Sequence, residues 1–123
     1  ADRARDQLRA FLLESRSLGR TVAGFGAPAK GNTLLNYAKI TPDLVECATE
    51  VNQFKVGKLT PGTHIPIVHE SQVERPPDYY LILSWNFLDY LVGKYKTYLL
   101  NGGKFIVPVP SVQILGFDAT VQR

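Results

Sequence analysis

The sequence predicts a three-layer α/β domain of Rossmann-like type, with a small, mainly parallel sheet flanked by helices. Three observations predict this fold class. Short apolar segments rich in β-branched residues alternate with segments of helical periodicity, and a glycine-rich turn follows the first predicted strand. The 123 residues suffice for one hydrophobic core but not for two ordinary domains. We therefore treat residues 1–123 as a single α/β domain and, because the chain holds no Met, expect a fragment of a larger protein.

The first half of the chain is predicted to hold two helices and two strands. The first helix places apolar side chains on one face and Arg residues on the other, and Gly19 suits a left-handed cap at its end. Pro42 blocks continuation of the second helix. The predicted elements are helix 2–17, strand 20–25, helix 32–38 and strand 44–50.

The second half is predicted to begin with a long loop, rich in Gly and Pro, and to continue with alternating strands and helices. Loops of this length in compact domains are often functional. Parallel strands that alternate with helices require right-handed crossovers, which place helices on both faces of the sheet. The predicted elements are loop 52–66, one helical turn over 71–74, strand 79–84, helix 87–100 and strand 104–108.

The composition excludes several classes of protein. With 45% apolar and 20% charged residues the chain is typical of soluble globular proteins, and it holds no apolar run that could cross a bilayer. One Cys excludes a disulfide framework and a Cys-rich zinc site and favours a reducing, cytoplasmic compartment. The net charge is +3, and residues 1–20 hold five Arg. We interpret these as a solvated helix face and expect neither nucleic acid nor membrane as a partner.

The glycine-rich segment between the first predicted strand and the next helix is the most informative part of the sequence. Gly24, Gly26 and Ala29 satisfy the G-x-G-x-x-A spacing of a dinucleotide fingerprint, in which glycines allow a phosphate to approach a helix N-terminus. Glu50 ends the second predicted strand, where such folds place an acid that binds ribose. The spacing alone is compatible with two interpretations: the segment binds a ligand, or it only turns the chain between strand and helix.

Two features of this segment argue against the standard nucleotide motifs. Pro28 lacks the N–H that a pyrophosphate cradle requires. The spacing from Gly26 to Thr33 resembles a P-loop, but Asn32 occupies the position of its essential Lys. The polar residues Lys30, Asn32 and Thr33 nevertheless favour an anionic or hydroxyl-bearing ligand.

The remaining polar candidates show no metal or catalytic pattern. His64 and His69 have no partner at a recognised metal spacing, so we expect no metal site. His64 is a candidate ligand contact, or it fixes its loop by a hydrogen bond. Cys47 is predicted to lie within a strand as an inert core residue.

The carboxyl end of the predicted strand 79–84 holds Ser84, Trp85 and Asn86, at the edge where open parallel sheets bind ligands. Ser84 or Asn86 is expected to cap the following helix. Trp85 either packs beneath the loop or stacks on a flat ligand ring. Pro108 and Pro110 follow the last strand at the same edge.

Four blocks of sequence occur in an order that closely resembles a known family. They are GFGAPAKGNTLLNY at 24–37, PGTHIP at 61–66, WN at 85–86 and GGKFIVP at 102–108. The pattern is similar to the C-terminal domain of S-adenosylmethionine-dependent C-methyltransferases that act on nucleotide-linked deoxysugars. The resemblance covers about residues 5–115, and neither the tail after Leu115 nor the Arg-rich first helix matches specifically.

The resemblance implies a larger enzyme that also contains a Cys-rich zinc region and an S-adenosylmethionine-binding domain. That enzyme would methylate a sugar carbon next to a keto group, through an enolate formed with the help of a base. The base and the methyl-donor site would lie in the other domains, so no catalytic residue is carried over and no cofactor is expected in this fragment. The implied partners are the nucleotide-linked sugar and the remaining domains of the enzyme. The substrate-binding residues implied by position are Gly26, Ala27, Pro28, Ala29, Lys30, Gly31, Asn32 and Thr33, with His64, Trp85 and Asn86 on the rim.

Two alternatives stay open at this point. The chain could be a stand-alone Rossmann-type module that binds NAD, FAD or an adenine nucleotide, as the glycine spacing and Glu50 suggest. It could also be a purely structural domain of the enzyme, which contacts neighbouring domains and no ligand.

Overall fold

The computed structural model of the chain describes residues 2–26, 29–51 and 53–117. Helices and short strands alternate along it, as the sequence predicts. The elements are α1 (Asp2–Ser17), β1 (Val22–Phe25), α2 (Ala29–Tyr37), β2 (Ala48–Glu50), β3 (Ile67–His69), β4 (Tyr79–Ile82), α3 (Leu88–Lys94), α4 (Lys96–Leu100), β5 (Lys104–Val107) and β6 (Gln113–Leu115).

The strands form one six-stranded sheet in the order β3-β2-β1-β4-β5-β6. The first five strands of that order pair in parallel, and β6 pairs antiparallel to β5. From β1 the chain moves outward through β2 and β3, and it then returns to add β4 on the other side of β1. A crevice between β1 and β4, at their carboxyl ends, follows from this reversal. The predicted fold class, a three-layer Rossmann-like α/β domain with a small, mainly parallel sheet, is confirmed.

Helices cover both faces of the sheet. Successive strand residues point to opposite sides, and apolar side chains on each side are buried against helices. In β4, Leu81 faces α1 and α2, while its neighbours Tyr80 and Ile82 face α3 and α4. The first layer is filled mainly by Leu8, Leu12, Val22, Leu35, Leu81 and Ile106. The second is filled mainly by Tyr80, Ile82, Leu91, Leu99 and Phe105.

Two strands were not predicted, and both lie at edges of the sheet. β3 and β6 have three residues each, which is too short to display a clear alternation of apolar and polar side chains. Their pairing with β2 and β5 is decided by tertiary structure. The predicted strand 44–50 begins only at Ala48, because Leu44 and Val45 complete a turn that bonds to the carbonyl of Thr41.

The predicted helix 87–100 is divided into α3 and α4 at Tyr95. At this residue φ is −104° and ψ is 26°, outside the helical region. The Tyr95 ring packs edge-on against Phe25, with 5.2 Å between centroids, and its hydroxyl donates to Glu70 at 3.0 Å. These contacts accompany the non-helical backbone at Tyr95. Periodicity along the chain cannot predict them, because their partners lie in other elements.

Candidate functional site

A cleft of about 360 Å³ lies at the carboxyl ends of the parallel strands, where the crevice between β1 and β4 is expected. Residues that follow β1, β2, β3 and β4 form its base, and one face of α3 forms a wall. The lining residues are Phe25, Gly26, Thr49, Glu50, Val51, Lys55, Glu70, Ser84, Phe87, Tyr90, Leu91 and Lys94. Apolar rings and two pairs of opposite charges therefore share one cavity.

The two glycines of the fingerprint have different structural roles beside this cleft. Gly26 has a φ of +82°, a conformation that favours glycine, and its N–H donates to the carbonyl of Thr49 at 2.9 Å. Gly24 has ordinary backbone angles, but a Cβ there would lie 3.0 Å from the Leu83 side chain. Gly26 thus turns the chain out of β1, whereas Gly24 lets the Leu83 side chain pack closely.

The strongest polar cluster in the cleft joins α3 to the residue that follows β3. The Lys94 ammonium donates to both carboxylate oxygens of Glu70, at 3.0 and 3.1 Å. Tyr95 donates to the same carboxylate at 3.0 Å. The Lys94 Nζ also lies 5.8 Å from the ring centroids of both Phe25 and Tyr95. An ammonium group has three donors, so the two bonds to Glu70 leave one for a ligand oxygen.

This cluster holds the Glu70 carboxyl in its charged form. Desolvation by burial is the largest single influence and raises its pKa, but the hydrogen bonds from Lys94 and Tyr95, with the charges of Lys94 and His69, outweigh it. The pKa of Glu70 is lowered as a result. The pKa of Tyr95 is raised, first by burial and then by its bond to Glu70. Both groups keep fixed protonation states near neutral pH, which suits binding and positioning rather than proton transfer.

We expect the Glu70→Gln substitution to reduce stability near neutral pH and to matter progressively less in acid. Because the folded-state pKa of Glu70 is lowered, its contribution is complete above the ordinary pKa and is lost as the pH falls through the folded value. Urea unfolding of both proteins between neutral pH and about pH 3 measures the difference in the free energy of unfolding. The exposed Glu74→Gln variant serves as the control. A difference that stays constant with pH would contradict this assignment.

A second pair of charges lies at the end of β2. Glu50 occupies the cleft where the sequence predicts a ribose-binding acid. Its Oε1 accepts from the N–H of Val51 at 3.1 Å, and its Oε2 lies 4.0 Å from the Lys55 ammonium. The position of Glu50 is therefore as predicted, and its role in binding remains a prediction.

The signature loop enters α2 beside the cleft, and only part of it is described. Ala27 and Pro28 lie outside the described residues, and Ala29 and Lys30 form the start of α2. The remaining helix residues of the loop are Gly31, which is buried, Asn32, which is partly buried, and Thr33, which is exposed.

Asn32 carries an unusual feature in the first turns of α2. Its Oδ1 is buried and, among the described residues, has no hydrogen-bond partner. A buried polar atom is normally paired, because leaving it unpaired costs about 1–3 kcal/mol. Asn32 is not among the residues that line the cleft. Its role in binding therefore stays a prediction.

The block 61–66 lies at the opposite end of α2 from the glycine-rich loop. His64 is exposed, has a φ of +58°, and borders a separate surface depression with Asn36 and Lys39. The Nδ2 of Asn36 donates to the carbonyl of Pro61 at 2.9 Å and ties this block to α2. The His64 N–H donates to the carbonyl of Thr60 at 2.9 Å. The structure therefore does not bring His64 to the cleft, and a ligand role for it remains a prediction.

The residues after β4 reach the cleft edge in a different way from the one predicted. A 3₁₀ turn (Trp85–Phe87) precedes α3, and the side chains of neither Ser84 nor Phe87 cap these two helical segments. The prediction that Ser84 or Asn86 caps the helix is wrong, because the 3₁₀ turn occupies the capping position. Trp85 is partly buried against the second core layer, whereas Asn86 is exposed. Ser84 lines the cleft and the other two do not.

Cys47 and His69 take no part in a metal site among the described residues. Burial and the neighbouring charge of Glu46 raise the pKa of the Cys47 thiol to about 11, as expected of an unreactive residue, although it precedes β2 and does not lie within a strand. His69 accepts from the N–H of Ser71 at 3.2 Å. Within the described ranges, no group of three or more His, Cys, Asp or Glu could hold a metal ion. No helix in the described part of the chain is long and apolar enough to span a membrane.

The α3 wall of the cleft was not predicted from the sequence. The cleft-lining side chains of this segment recur at helical spacing, so that one face borders the cavity. They are Phe87, Tyr90, Leu91 and Lys94. Glu70 was also missed, because β3 was not predicted and the residue after it could not be placed at the strand ends. The helical spacing is visible in the sequence, but the same spacing is expected of a helix that packs on the sheet and lines no cleft.

Comparison with known proteins identifies the family. The family described as the C-methyltransferase C-terminal domain matches residues 1–110. The C-methyltransferase NovU of Streptomyces niveus is 36% identical over 121 residues, which are 98% of this chain and 29% of that protein. The chain thus spans less than a third of the length of this curated relative. By its sequence match and its fold, the chain belongs to the C-methyltransferase C-terminal domain family.

Proposed function

We propose that this chain is the substrate-binding domain of an S-adenosylmethionine-dependent C-methyltransferase, and that its cleft holds a nucleotide-linked sugar. The full enzyme methylates a sugar carbon next to a keto group. The family match supports the reaction class, and the chemistry of the cleft supports the ligand. We further propose that residues 1–123 form one domain of a larger, cytoplasmic enzyme.

The combination of groups in the cleft is the observation that carries this proposal. Phe87 and Tyr90 offer apolar ring surface for a base or a sugar face. Lys94 lines the same cleft and keeps one donor for a phosphate oxygen. A nucleotide-linked sugar presents all of these partners in one molecule.

The methyl donor is assigned to another part of the enzyme. S-Adenosylmethionine carries a sulfonium cation, which a carboxylate would stabilise. Both carboxylates of the cleft already face ammonium groups, Glu50 at 4.0 Å from Lys55 and Glu70 at 3.0 Å from Lys94. These residues therefore do not fit the sulfonium group. The donor supplies an electrophilic methyl group, and this chain contributes by orienting the acceptor.

The chain's own contribution to catalysis is binding and positioning. Glu70 stays ionised and holds Lys94 in place, and Tyr95 stays protonated because its pKa is raised. Neither group is suited to remove a proton next to the keto group near neutral pH. We therefore name no catalytic base in this chain and assign that step to the other domains.

We expect the Asn32→Ala substitution to weaken ligand binding while leaving the free energy of unfolding nearly unchanged. The deleted Oδ1 has no partner among the described residues, so its removal costs the fold little. A lost neutral hydrogen bond to ligand weakens affinity by about fivefold, from about 1 kcal/mol. Calorimetric titration of the full enzyme with a dTDP-sugar measures the affinity, and urea unfolding measures the stability. Unchanged affinity in a folded variant would favour a purely structural domain, and a parallel Lys30→Ala variant extends the test.

A second candidate function is a Rossmann-type module that binds NAD or an adenine nucleotide. The strand order, the turn at Gly26 and the position of Glu50 in the cleft favour it. Backbone amide shifts recorded during titration with NAD, AMP and dTDP separate the two candidates. Saturable shifts around Gly26 and Glu50 with NAD or AMP, and none with dTDP, would favour this second function.

A further inference from the structure

A second cavity, which the proposed function does not use, lies where α2 ends beside the block 61–66. Its volume is about 530 Å³, within the range of small-molecule sites. We call this cavity the α2-end depression. It shares no residue with the cleft, so a ligand bound there is separate from the ligand of the cleft. Its lining includes Asn36, Lys39, Thr41, Gly62, Thr63 and His64.

The α2-end depression holds polar donors that no neighbouring group occupies. Lys39 and His64 are exposed, and neither side chain has a hydrogen-bond or ion-pair partner among the described residues. Lys39 supplies a positive charge, and the His64 ring keeps an N–H donor whether it is neutral or charged. None of the described lining residues is an Asp or Glu. An oxyanion can therefore bind there without displacing an existing ion pair.

The carbonyl end of α2 by itself would repel an anion, because a helix C-terminus carries a partial negative charge. Arg9 offsets this charge. Its guanidinium donates to the carbonyls of Ala38 and Lys39, at 3.4 and 2.5 Å. The carboxylate of Asp43, close by in the chain, is paired with Arg16 at 3.1 Å. The attraction of the Lys39 ammonium for an anion is therefore retained at this end of α2.

Both donors lie on a backbone conformation that most residues avoid. The φ of Lys39 is 54° and that of His64 is 58°, and in the described chain these are the two residues other than glycine with a positive φ. An L-residue is disfavoured there because its Cβ approaches the following carbonyl oxygen. Glycine would suit the backbone better at either position, so the backbone does not explain a Lys and a His there. Residues held in this way cluster at ligand sites.

The hairpin that carries His64 is fixed by hydrogen bonds. The Thr60 N–H donates to the carbonyl of Ile65 at 2.8 Å, and the Ile65 N–H donates to the Thr60 hydroxyl at 2.9 Å. The Asn36 amide donates to the carbonyl of Pro61 at 2.9 Å and joins the hairpin to α2. The two walls of the depression are thus connected directly. Donors on such preorganised walls lose little conformational entropy when they bind.

We propose that the α2-end depression binds the phosphate group of a small, hydroxyl-bearing phosphate ester. The Lys39 ammonium and the His64 ring donate to the phosphate oxygens. Asn36 uses both N–H groups of its amide on the carbonyls of Asn32 and Pro61, so its Oδ1 is left to accept from a hydroxyl of the same ligand. This inference does not depend on the proposed function, because no cleft residue takes part in it.

Titration of the full-length enzyme with inorganic phosphate and with glycerol 3-phosphate, followed by backbone amide shifts, tests this proposal. Sodium chloride at matched ionic strength is the reference for the screening of charges. We expect saturable shifts at residues 39–41 and 62–64 with both phosphates and none with chloride. Glycerol 3-phosphate should bind about fivefold more tightly than inorganic phosphate, because its hydroxyl bonds to Asn36.

Three variants assign the binding to named side chains. Lys39→Met keeps the length of the side chain and should weaken phosphate binding about tenfold or more, since a bond to a charged group is lost. His64→Asn removes the ring but keeps a residue that tolerates a positive φ, and it should weaken binding about fivefold. Lys58→Met is the matched control, because Lys58 is exposed on the same hairpin and does not line the depression. It should bind phosphate normally.

Shifts at residues 39–41 and 62–64 that chloride reproduces, or that do not saturate, would overturn the proposal. Unchanged affinity in Lys39→Met would do the same. Equal affinity for the two phosphates would overturn the role of Asn36 and with it the hydroxyl-bearing ester. In Lys94→Met these shifts should persist, and their loss would show that the phosphate acts from the cleft. Failure of this proposal and failure of the cleft ligand are therefore observed at different residues.

Discussion

Replacing Lys94 by Met is expected to weaken binding of a nucleotide-linked sugar by about 10- to 100-fold. The estimate corresponds to the loss of one hydrogen bond to a charged group, about 1.5–3 kcal/mol. Lys94 lines the cleft on α3, and two bonds to Glu70 fix its ammonium group there. Met retains the length and apolar character of the side chain, so the variant removes the charge and little packing. Calorimetric titration of the full-length enzyme with a dTDP-sugar measures the change.

The control for this prediction uses the neighbouring helix and a change of ligand. Lys96 is exposed at the start of α4 and does not line the cleft, so Lys96→Met should bind the dTDP-sugar normally. The effect of Lys94→Met should also disappear with thymidine, which lacks the phosphates. An equal loss of affinity for thymidine and for dTDP would show that Lys94 shapes the cleft and does not bind phosphate.

Replacing Gly62 by Ala is expected to reduce the free energy of unfolding by about 2–5 kcal/mol. Gly62 has a φ of +82°, which costs an L-residue about 1–2 kcal/mol. A Cβ at this position would also lie 2.0 Å from the Oδ1 of Asn36, which must then move. That movement breaks the bonds from Asn36 to the carbonyls of Asn32 and Pro61, each worth about 0.5–1.5 kcal/mol. Urea unfolding measures the loss.

Gly57 offers a matched control, because it also has a positive φ but open space around it. Its φ is +88°, and a Cβ would meet nothing within 4 Å. Gly57→Ala should therefore cost only the backbone strain, about 1–3 kcal/mol less than Gly62→Ala, which also loses the two Asn36 bonds. In an Asn36→Ala background the two substitutions should cost the same, since the clash is then absent. A difference that persists in that background would show that Asn36 is not the cause.

The position of the glycine-rich loop was predicted correctly from the sequence, but the roles of its two glycines were predicted only in part. The spacing of Gly24 and Gly26 predicted a turn between a strand and a helix, because local backbone requirements are written in consecutive residues. Gly24 also allows the Leu83 side chain to pack closely, since a Cβ at position 24 would lie 3.0 Å from it. This contact joins residues far apart in the chain, so the sequence did not show it. The block 61–66 was recognised as a motif in the sequence, but only the fold shows that it lies at the far end of α2.

Patterns in the sequence correctly predicted the fold class, most of the elements and the family, and they also predicted a ligand site at the carboxyl edge of the sheet, which stays a prediction. These follow from local periodicity, turn residues and motif order, which are properties of neighbouring positions. Three features could be seen only in the folded chain: β3 and β6 form the sheet edges, α3 and α4 are separate helices, and Glu70 bonds to Lys94, 24 residues away. Those features depend on pairings between distant segments, and a three-residue strand or a lone Glu carries too little pattern to reveal its partner.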